Sequence, residues 1–370
     1  MIYIFTLFLI IILNQIWKPY VVSDNNCVGI YSGKYRKRYC IIISLWILFL
    51  LVFRHAYVGS DTQNYYKIFQ NYDLYGYSLE LDDADLSTEI GFYYLIYFLN
   101  YLHLSFRVLI FISASFYVGT VSYLIYKYSK SPAISYFMFL TYGYFIFNTT
   151  MRQCFALSFC IIAFLCIMNR HWIRASLFLV LGILFHSTAI VFVIAFLVPS
   201  LKYDTKSWII VIVSGLVLLV SATAIFEAAN ELIEKNYEIV ESTGYVSLIV
   251  VALFVIIGYS IKDRLSETNR YWMYLLIISV ILFPLASLNP ALFRIRMYFS
   301  IFIVVYAANV LSVKTINTQL LYALAVTYGL YTFFIGNYAA GIRVLPYAFY
   351  WENYYELNPE AAGLGLNPPD

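Results

Sequence analysis

Two kinds of side chain in this sequence are suited to chemistry on an anionic substrate. The first is arginine, because a planar guanidinium binds pairs of phosphate or carboxylate oxygens. Four arginines at predicted helix ends are candidate anion-binding residues, namely Arg54, Arg152, Arg294 and Arg296. The second kind accepts a proton from a reacting hydroxyl, and the candidates for this general base are Asp61 and His186.

The densest group of such residues follows the apolar run Cys40–Phe53. Arg54 and His55 come directly after that run, and Gly59 and Asp61 follow within a few residues. A cation, an imidazole, a flexible glycine and a carboxylate at the end of a membrane helix indicate a binding site or its mouth. Asp61 is also suited to capping a short helix over Thr62–Phe69, and both interpretations stay open.

The composition predicts the environment of these residues. The chain has 370 residues, of which 62% are hydrophobic and 12% charged, whereas soluble domains carry roughly 25% charged residues. So much apolar surface needs lipid as its solvent, and the alternating pattern of a barrel strand is absent. The predicted class is an all-α polytopic membrane protein. The net charge of +3 does not indicate a nucleic-acid partner.

The apolar runs predict about 11 to 13 membrane helices, including short or re-entrant segments. The chain is expected to form one domain over residues 1–353, with an extracytoplasmic loop over 54–90 and a disordered tail over 354–370. The predicted helices are Met1–Trp17, Tyr39–Phe53, a short Gly91–Leu102, Phe106–Tyr126, Ile134–Phe147, Phe155–Met168, Ala175–Pro199, Ser207–Ile225, Tyr245–Ile261, Tyr271–Leu288, Ile295–Leu311 and Leu320–Ile335.

Basic loops set the expected orientation, because loops rich in lysine and arginine stay in the cytoplasm. The strongest cluster is Lys34, Arg36, Lys37 and Arg38, which places the segment after Phe53 outside. Ala175–Pro199 is either one helix or a hairpin. The alternation of basic and acidic loops favours the hairpin, with His186 at its outer tip. Seven ionisable residues then share the outer boundary: Arg54, His55, Asp61, Arg152, His186, Arg294 and Arg296.

Each of these residues also has an ordinary structural explanation. Arg54 or Arg152 alone is typical of an interfacial residue that extends to the headgroups, and His186 alone is typical of a packing residue. Arg294 and Arg296 are two apart on a helix, so we expect them to point to different sides and one of them to face headgroups. Asp82-Asp83-Ala84-Asp85 matches a metal-binding acidic motif only superficially, and no metal or other cofactor is predicted.

Five short motifs follow one another along the chain. The first is an Arg after the second helix with a Gly-x-Asp-x-x-x-Tyr stretch, here Arg54, Gly59, Asp61 and Tyr65. The others are Glu89-Ile90-Gly91-Phe92-Tyr93-Tyr94, Met151-Arg152-Gln153-Cys154-Phe155-Ala156, Phe185-His186-Ser187-Thr188-Ala189 and Phe293-Arg294-Ile295-Arg296-Met297-Tyr298-Phe299. In this order, over most of the chain, they resemble the EpsG-type family of exopolysaccharide and O-antigen polymerases, the Wzy-like proteins. One departure is Ile90, where members often have Pro.

The resemblance implies a metal-independent glycosyltransferase of the bacterial cytoplasmic (inner) membrane. It would transfer a glycan from an undecaprenyl-diphosphate carrier to a new lipid-linked repeat unit at the extracytoplasmic face. Asp61 or His186 would be the base. Arg152, with Arg294 or Arg296, would bind the diphosphate, and Arg54 would orient Asp61 or bind the second carrier. The implied substrate-binding residues are Glu89, Tyr65, Gln153 and Tyr298.

Other classes remain open. A polyprenyl-linked glycan ligase or single-sugar glycosyltransferase would share nearly all of these features, and a flippase for lipid-linked oligosaccharides would also line its path with arginines. For the polymerase, the expected partners are the lipid bilayer, the undecaprenyl-diphosphate-linked oligosaccharides, and a chain-length regulator and flippase of the same pathway.

Overall fold

The computed structural model describes residues 2–17, 33–74, 89–233, 239, 245–334, 344 and 347–352. That part of the chain contains sixteen α-helices, two 3₁₀-helices and no β-strand. The prediction of an all-α polytopic membrane protein is therefore confirmed. The predicted tail, the acidic motif at Asp82–Asp85 and most of the acidic half of the first loop lie outside the described residues.

The α-helices are numbered in chain order, and a 3₁₀-helix over Ser187–Ser200 follows α9. Their bounds are α1 Ile2–Ile16, α2 Gly33–Val52, α3 Thr62–Leu74, α4 Ile90–Tyr101, α5 Phe106–Tyr128, α6 Pro132–Tyr142, α7 Ile146–Thr149, α8 Met151–Met168, α9 Trp172–Phe185, α10 Thr205–Ile233, α11 Tyr245–Ser260, α12 Thr268–Ile281, α13 Phe283–Ala286, α14 Pro290–Ser300, α15 Ile303–Leu311 and α16 Ile316–Phe334.

Three of the described helices are long and apolar enough to cross a membrane: α5, α8 and the Thr205–Ala228 part of α10. A fourth span results if α14 and α15 are counted together, although they meet at a bend of 46°. The predicted span Ile295–Leu311 is therefore present only as two helices, because the chain breaks between Ser300 and Ile303. The predicted helix Tyr271–Leu288 also divides, and the second piece begins at Phe283 with Pro284 in its first turn, where the proline ring blocks a continuous helical hydrogen-bond ladder.

The hairpin predicted over Ala175–Pro199 is confirmed. α9 ends at Phe185, and His186 has an extended backbone with φ −159° and ψ 114°. The ring centroids of Trp172 and Phe196, near the two far ends, are 6.2 Å apart, so the two arms run antiparallel. α9 has 14 residues and a length of about 21 Å, which is shorter than a hydrocarbon core of ~30 Å.

The centre of the bundle is aromatic. Trp272 of α12 stacks on Phe302 between α14 and α15, with ring centroids 5.6 Å apart, and Phe164 of α8 contacts both rings. Phe192 of the 3₁₀-helix packs on the same Phe302. Four elements that are distant in the chain thus meet in one core, which joins α8 to the second arm of the hairpin.

Candidate functional site

Glu89 is the centre of a charged cluster, which we call the Glu89 cluster and define as Asp61, Glu89, Arg152, His186 and Arg294. Glu89 lies one residue before α4, and its side chain is 6% exposed. Arg152 Nη1 is 2.6 Å from Glu89 Oε2, and His186 Nδ1 contacts Glu89 Oε1. One buried carboxylate therefore joins the start of α8 to the tip of the hairpin.

A close approach of backbones brings Glu89 to His186. A Cβ at Gly91, in the first turn of α4, would lie 2.9 Å from the ring of Phe185 and 3.0 Å from the carbonyl oxygen of Leu184. Any larger residue would therefore separate α4 from the end of α9. The Glu89-Ile90-Gly91 motif thus has a physical reason, since the glycine lets the carboxylate reach the imidazole.

The second ion pair of the cluster is more exposed. Arg294 Nη2 is 3.9 Å from Asp61 Oδ2, and the two side chains are 41% and 28% exposed. The Ser60 hydroxyl donates to Asp61 Oδ1 at 3.2 Å. Burial raises the pKa of Asp61, although Arg294, Ser60 and Arg152 each act to lower it. The ion pair between Arg294 and Asp61 is thus longer and more exposed to solvent than the pair between Arg152 and Glu89.

Gly59 positions the loop that carries Asp61. Its φ is +104°, a conformation that L side chains rarely adopt, and a Cβ there would collide with the carbonyl oxygen of Asn148. The loop therefore lies directly on the junction of α7 and α8. α3 begins at Thr62, and the Tyr65 backbone N–H donates to the Asp61 carbonyl at 3.1 Å.

Three predicted substrate-binding residues support the cluster from the side. The ring centroid of Tyr65 lies 5.6 Å from the Arg152 guanidinium. Gln153 Nε2 donates to the backbone carbonyl of Arg294 at 2.6 Å. The Tyr298 hydroxyl is 3.2 Å from the hydroxyl of Thr188, two residues after His186. Sequence reasoning did not select Thr188, although its motif contains it.

The other two candidate arginines lie outside the Glu89 cluster and are almost fully buried. Arg54 is 1% exposed, donates to Thr62 Oγ1 at 2.8 Å, and has its guanidinium 5.1 Å from the centroid of the Phe147 ring. Because Thr62 adjoins Asp61, Arg54 holds the loop that carries the carboxylate.

Arg296 is 2% exposed and donates through Nε to the Ser279 carbonyl at 3.0 Å. Its guanidinium lies 5.0 Å from the ring centroid of Phe283 and 5.3 Å from that of Phe293. The prediction that Arg294 and Arg296 point to different sides is confirmed. Arg296 does not face headgroups, because neighbouring helices enclose it, and for Arg294 that expectation stays a prediction.

Sequence reasoning missed the segment Tyr347–Glu352 as a part of the site. The His55 backbone N–H donates to the Ala348 carbonyl at 2.8 Å, and the Tyr350 N–H donates to the Phe53 carbonyl at 3.0 Å. Tyr350 also lies under the Arg107 guanidinium, 3.4 Å from its ring centroid. The aromatic run over 347–351 was the available signal, but nothing local indicates that it pairs with Arg54.

Within the described residues, no group of three or more histidine, cysteine or acidic side chains is arranged to hold a metal ion. The Glu89 cluster itself consists of a carboxylate that contacts an imidazole, a second, more exposed carboxylate, and two arginines of different exposure.

The fold and the cluster define a polytopic helical membrane protein with a charged site near the ends of its helices. A comparison with protein families identifies the family: the EpsG family matches residues 37–349, and the chain belongs to it. The matched region contains every residue of the Glu89 cluster. Membership supports, in broad terms, a polysaccharide polymerase of the glycosyltransferase type. No curated protein and no solved structure matches the chain.

Proposed function

We propose that the protein polymerises a surface glycan by moving the growing chain from an undecaprenyl-diphosphate carrier to a new carrier-linked repeat unit. The reaction would take place at the extracytoplasmic face of the bacterial inner membrane. The observation that carries the proposal is the Glu89 cluster itself, found in a member of the EpsG family. It combines a candidate base with candidate anion-binding groups.

His186 is the base in this proposal, and Glu89 positions it. A carboxylate on Nδ1 holds the ring in one tautomer and leaves Nε2 as the acceptor. The acceptor hydroxyl attacks the anomeric carbon of the donor sugar and its proton passes to Nε2. The new glycosidic C–O bond forms as the C–O bond to the diphosphate breaks, and the diphosphate leaves with the electron pair.

The arginines stabilise that leaving group. Arg294 is the more exposed of the two and lies 3.9 Å from its carboxylate, so a phosphate oxygen can replace Asp61 with little rearrangement. Arg152 stays on Glu89 and adds a fixed positive charge beside the reacting centre. Donors that are already oriented toward developing charge are usually the largest single contribution to catalysis. Tyr65 and Tyr298 are buried and pack against Arg152 and Thr188, so they help to hold the cluster in place.

The experiment is the sizing of surface glycan from cells that lack their own copy of the gene. The cells are complemented with wild type, with His186→Gln, or with His171→Gln, and protein in the membrane is quantified for each. His171 is a matched control because it is an exposed histidine at the other end of α9. We expect wild type and the control to restore a ladder of lengths, and His186→Gln to leave single repeat units.

The other classes give different results in the same cells. A flippase predicts that deletion removes all surface glycan while lipid-linked units accumulate inside. A ligase predicts that deletion leaves long polymer on its lipid carrier. Either result would refute the polymerase. A full ladder with His186→Gln would refute the assignment of the base alone.

A further inference from the structure

A cavity of about 340 Å³ lies on the other side of α3 from the Glu89 cluster and shares no lining residue with it. α3 separates the two. Tyr65 faces Arg152, whereas Tyr66 and Gln70 line the cavity. The remaining walls are the loop after α2, the turn between α4 and α5, the start of α5, and Tyr350. Small-molecule sites in proteins have volumes of roughly 300–1,000 Å³, so the cavity is large enough for one sugar unit.

Two arginines and two histidines line this cavity, namely Arg54, His55, His103 and Arg107, and none of its described lining residues is acidic. Arg54 Nε and Nη1 are buried and make no hydrogen bond to the described part of the chain. Burial lowers the pKa of His55, and the charge of Arg107 lowers it further, so the fixed positive charges are those of the two arginines. Two guanidinium groups without an acidic neighbour in the described lining favour an anionic ligand.

The rest of the lining is suited to a sugar ring. Tyr66, Phe106 and Tyr350 present aromatic rings, on which the C–H face of a pyranose can stack. The Gln70 and Asn100 side chains also line the cavity. Their amide nitrogens donate to the Tyr66 hydroxyl and the Phe69 carbonyl, and an amide oxygen can accept a hydrogen bond from a sugar hydroxyl. A free phosphate would use the basic groups and leave the rings and amides without a role.

We infer that this cavity binds an acidic sugar unit of the glycan, with its carboxylate on Arg107 and its ring on the aromatic wall. The inference rests on the proposed function, because it identifies the class of repeat unit that the polymerase accepts. Arg107 is suited to this role because it lies over Tyr350 at the cavity wall and makes no ion pair within the described residues. A bound carboxylate would gain a charge-assisted hydrogen bond there.

The test is direct binding to the purified full-length chain in nanodiscs, followed by saturation-transfer NMR and calorimetry. The probes are glucuronic, galacturonic and N-acetylneuraminic acids, with glucose, galactose and inorganic phosphate as comparison ligands. The variant is Arg107→Gln. The matched control is Lys67→Gln, because Lys67 is an exposed cation on α3 that does not line the cavity. His103→Asn is a second variant in an exposed turn, where the backbone φ of 53° suits asparagine.

We expect at least one acidic sugar to bind, its neutral counterpart not to bind, and Arg107→Gln to weaken binding by roughly tenfold or more. Lys67→Gln should bind as wild type does. The inference is overturned if none of the acids binds wild type, if the neutral sugars bind equally well, or if phosphate displaces the sugar at equal concentration. If Arg107→Gln does not fold, unchanged binding in His103→Asn overturns the assignment to this cavity.

The two proposals can fail separately. If deletion cells keep their glycan ladder, the polymerase proposal fails whatever the cavity binds. If the ladder depends on His186 but no acidic sugar binds the purified protein, the cavity inference fails and the polymerase proposal stands.

Discussion

Arg294 and Arg296 are two residues apart on α14 but lie in opposite environments. Arg294 is 41% exposed and faces the carboxylate of Asp61, whereas Arg296 is 2% exposed and contacts a carbonyl oxygen and two aromatic rings. An exposed ion pair can exchange its carboxylate for another anion at little cost. A buried guanidinium cannot, because leaving its hydrogen bond unmade is expensive. The same residue type is therefore available to a ligand in one place and structural in the other.

The same contrast separates Arg54 from the Glu89 cluster. Arg54 holds the hydroxyl of Thr62 and lies against Phe147, so it fixes the loop that carries Asp61 and is no part of the Glu89 cluster. Side-chain exposure and the type of partner, more than residue identity, therefore indicate which arginines of such a chain are available to bind a diphosphate.

The largest effect that tests this contrast is expected at Arg294. Arg294→Gln should lower the rate of polymer formation by about 10²–10³-fold, as loss of a donor to a developing anion does. Arg296→Gln should leave the rate per folded molecule nearly unchanged. The measurement is the in vitro rate with lipid-linked repeat units, normalised to folded protein. Equal losses of rate in Arg294→Gln and Arg296→Gln would contradict the assignment of one arginine to the ligand and the other to the structure.

The next largest effect is on protein stability, and here we expect the larger change at Arg296 and the smaller change at Arg294. Arg296→Leu should destabilise the protein by about 1–3 kcal/mol, because it leaves the Ser279 carbonyl without its donor in a buried place. Arg294→Leu, at an exposed ion pair, should change stability by less than about 1 kcal/mol. Thermal unfolding in detergent measures both. A more stable Arg296→Leu protein would show that the buried hydrogen bond is dispensable.

Gly59, in the loop that carries Asp61, and Gly119, within α5, should respond in opposite ways to substitution by alanine. Gly59→Ala combines a φ of +104° with a collision at Asn148, and such strain costs about 1–3 kcal/mol. It should also reduce activity, since it moves Asp61. At Gly119 a Cβ meets nothing within 4 Å, so Gly119→Ala should stabilise α5 by roughly 0.5–1 kcal/mol. Paired unfolding curves check the opposite signs.

The smallest effect concerns the pH dependence of stability through Asp61. Its pKa is raised in the folded protein, so the folded state binds the proton more tightly than the unfolded chain does. The contribution of Asp61 is thus most favourable below its ordinary pKa of 3.8 and is lost as the pH rises through the folded value. Asp61→Asn should be the more stable protein at neutral pH.

The difference between Asp61→Asn and wild type should close as the pH falls, because protonated aspartate and asparagine are both neutral. Unfolding temperatures across an acidic to neutral series measure it. A difference that widens toward acid would mean that the ion pair with Arg294, rather than burial, governs this carboxyl.

The sequence predicted the parts of the fold that depend on local pattern. Hydropathy indicated helices α5 and α8, and loop charges identified the turn at His186. The sequence did not predict features that depend on how the helices pack, such as the 46° bend between α14 and α15. Continuous apolar character over Ile295–Leu311 gives no sign of that bend.

The sequence predicted which residues form the site better than it predicted which of them contact one another. Asp61, Arg152, His186 and Arg294 were selected from residue type and position, and the structure brings them together. The sequence suggested Glu89 as a sugar-binding residue, whereas the structure places it between Arg152 and His186. Glu89 and His186 are 97 positions apart, so their contact depends on how helices pack and cannot follow from periodicity.

The backbone pairing of Ala348 and Tyr350 with the loop around Arg54 determines when this loop is completed during synthesis of the chain. Chains emerge from the ribosome N-terminus first, so Arg54 is made early and its backbone partner is made after all sixteen described helices. Until then the loop lacks the residues that complete its hydrogen bonds and the wall at Tyr350. The nascent bundle therefore stays open at this edge until Ala348, Phe349 and Tyr350 have been made.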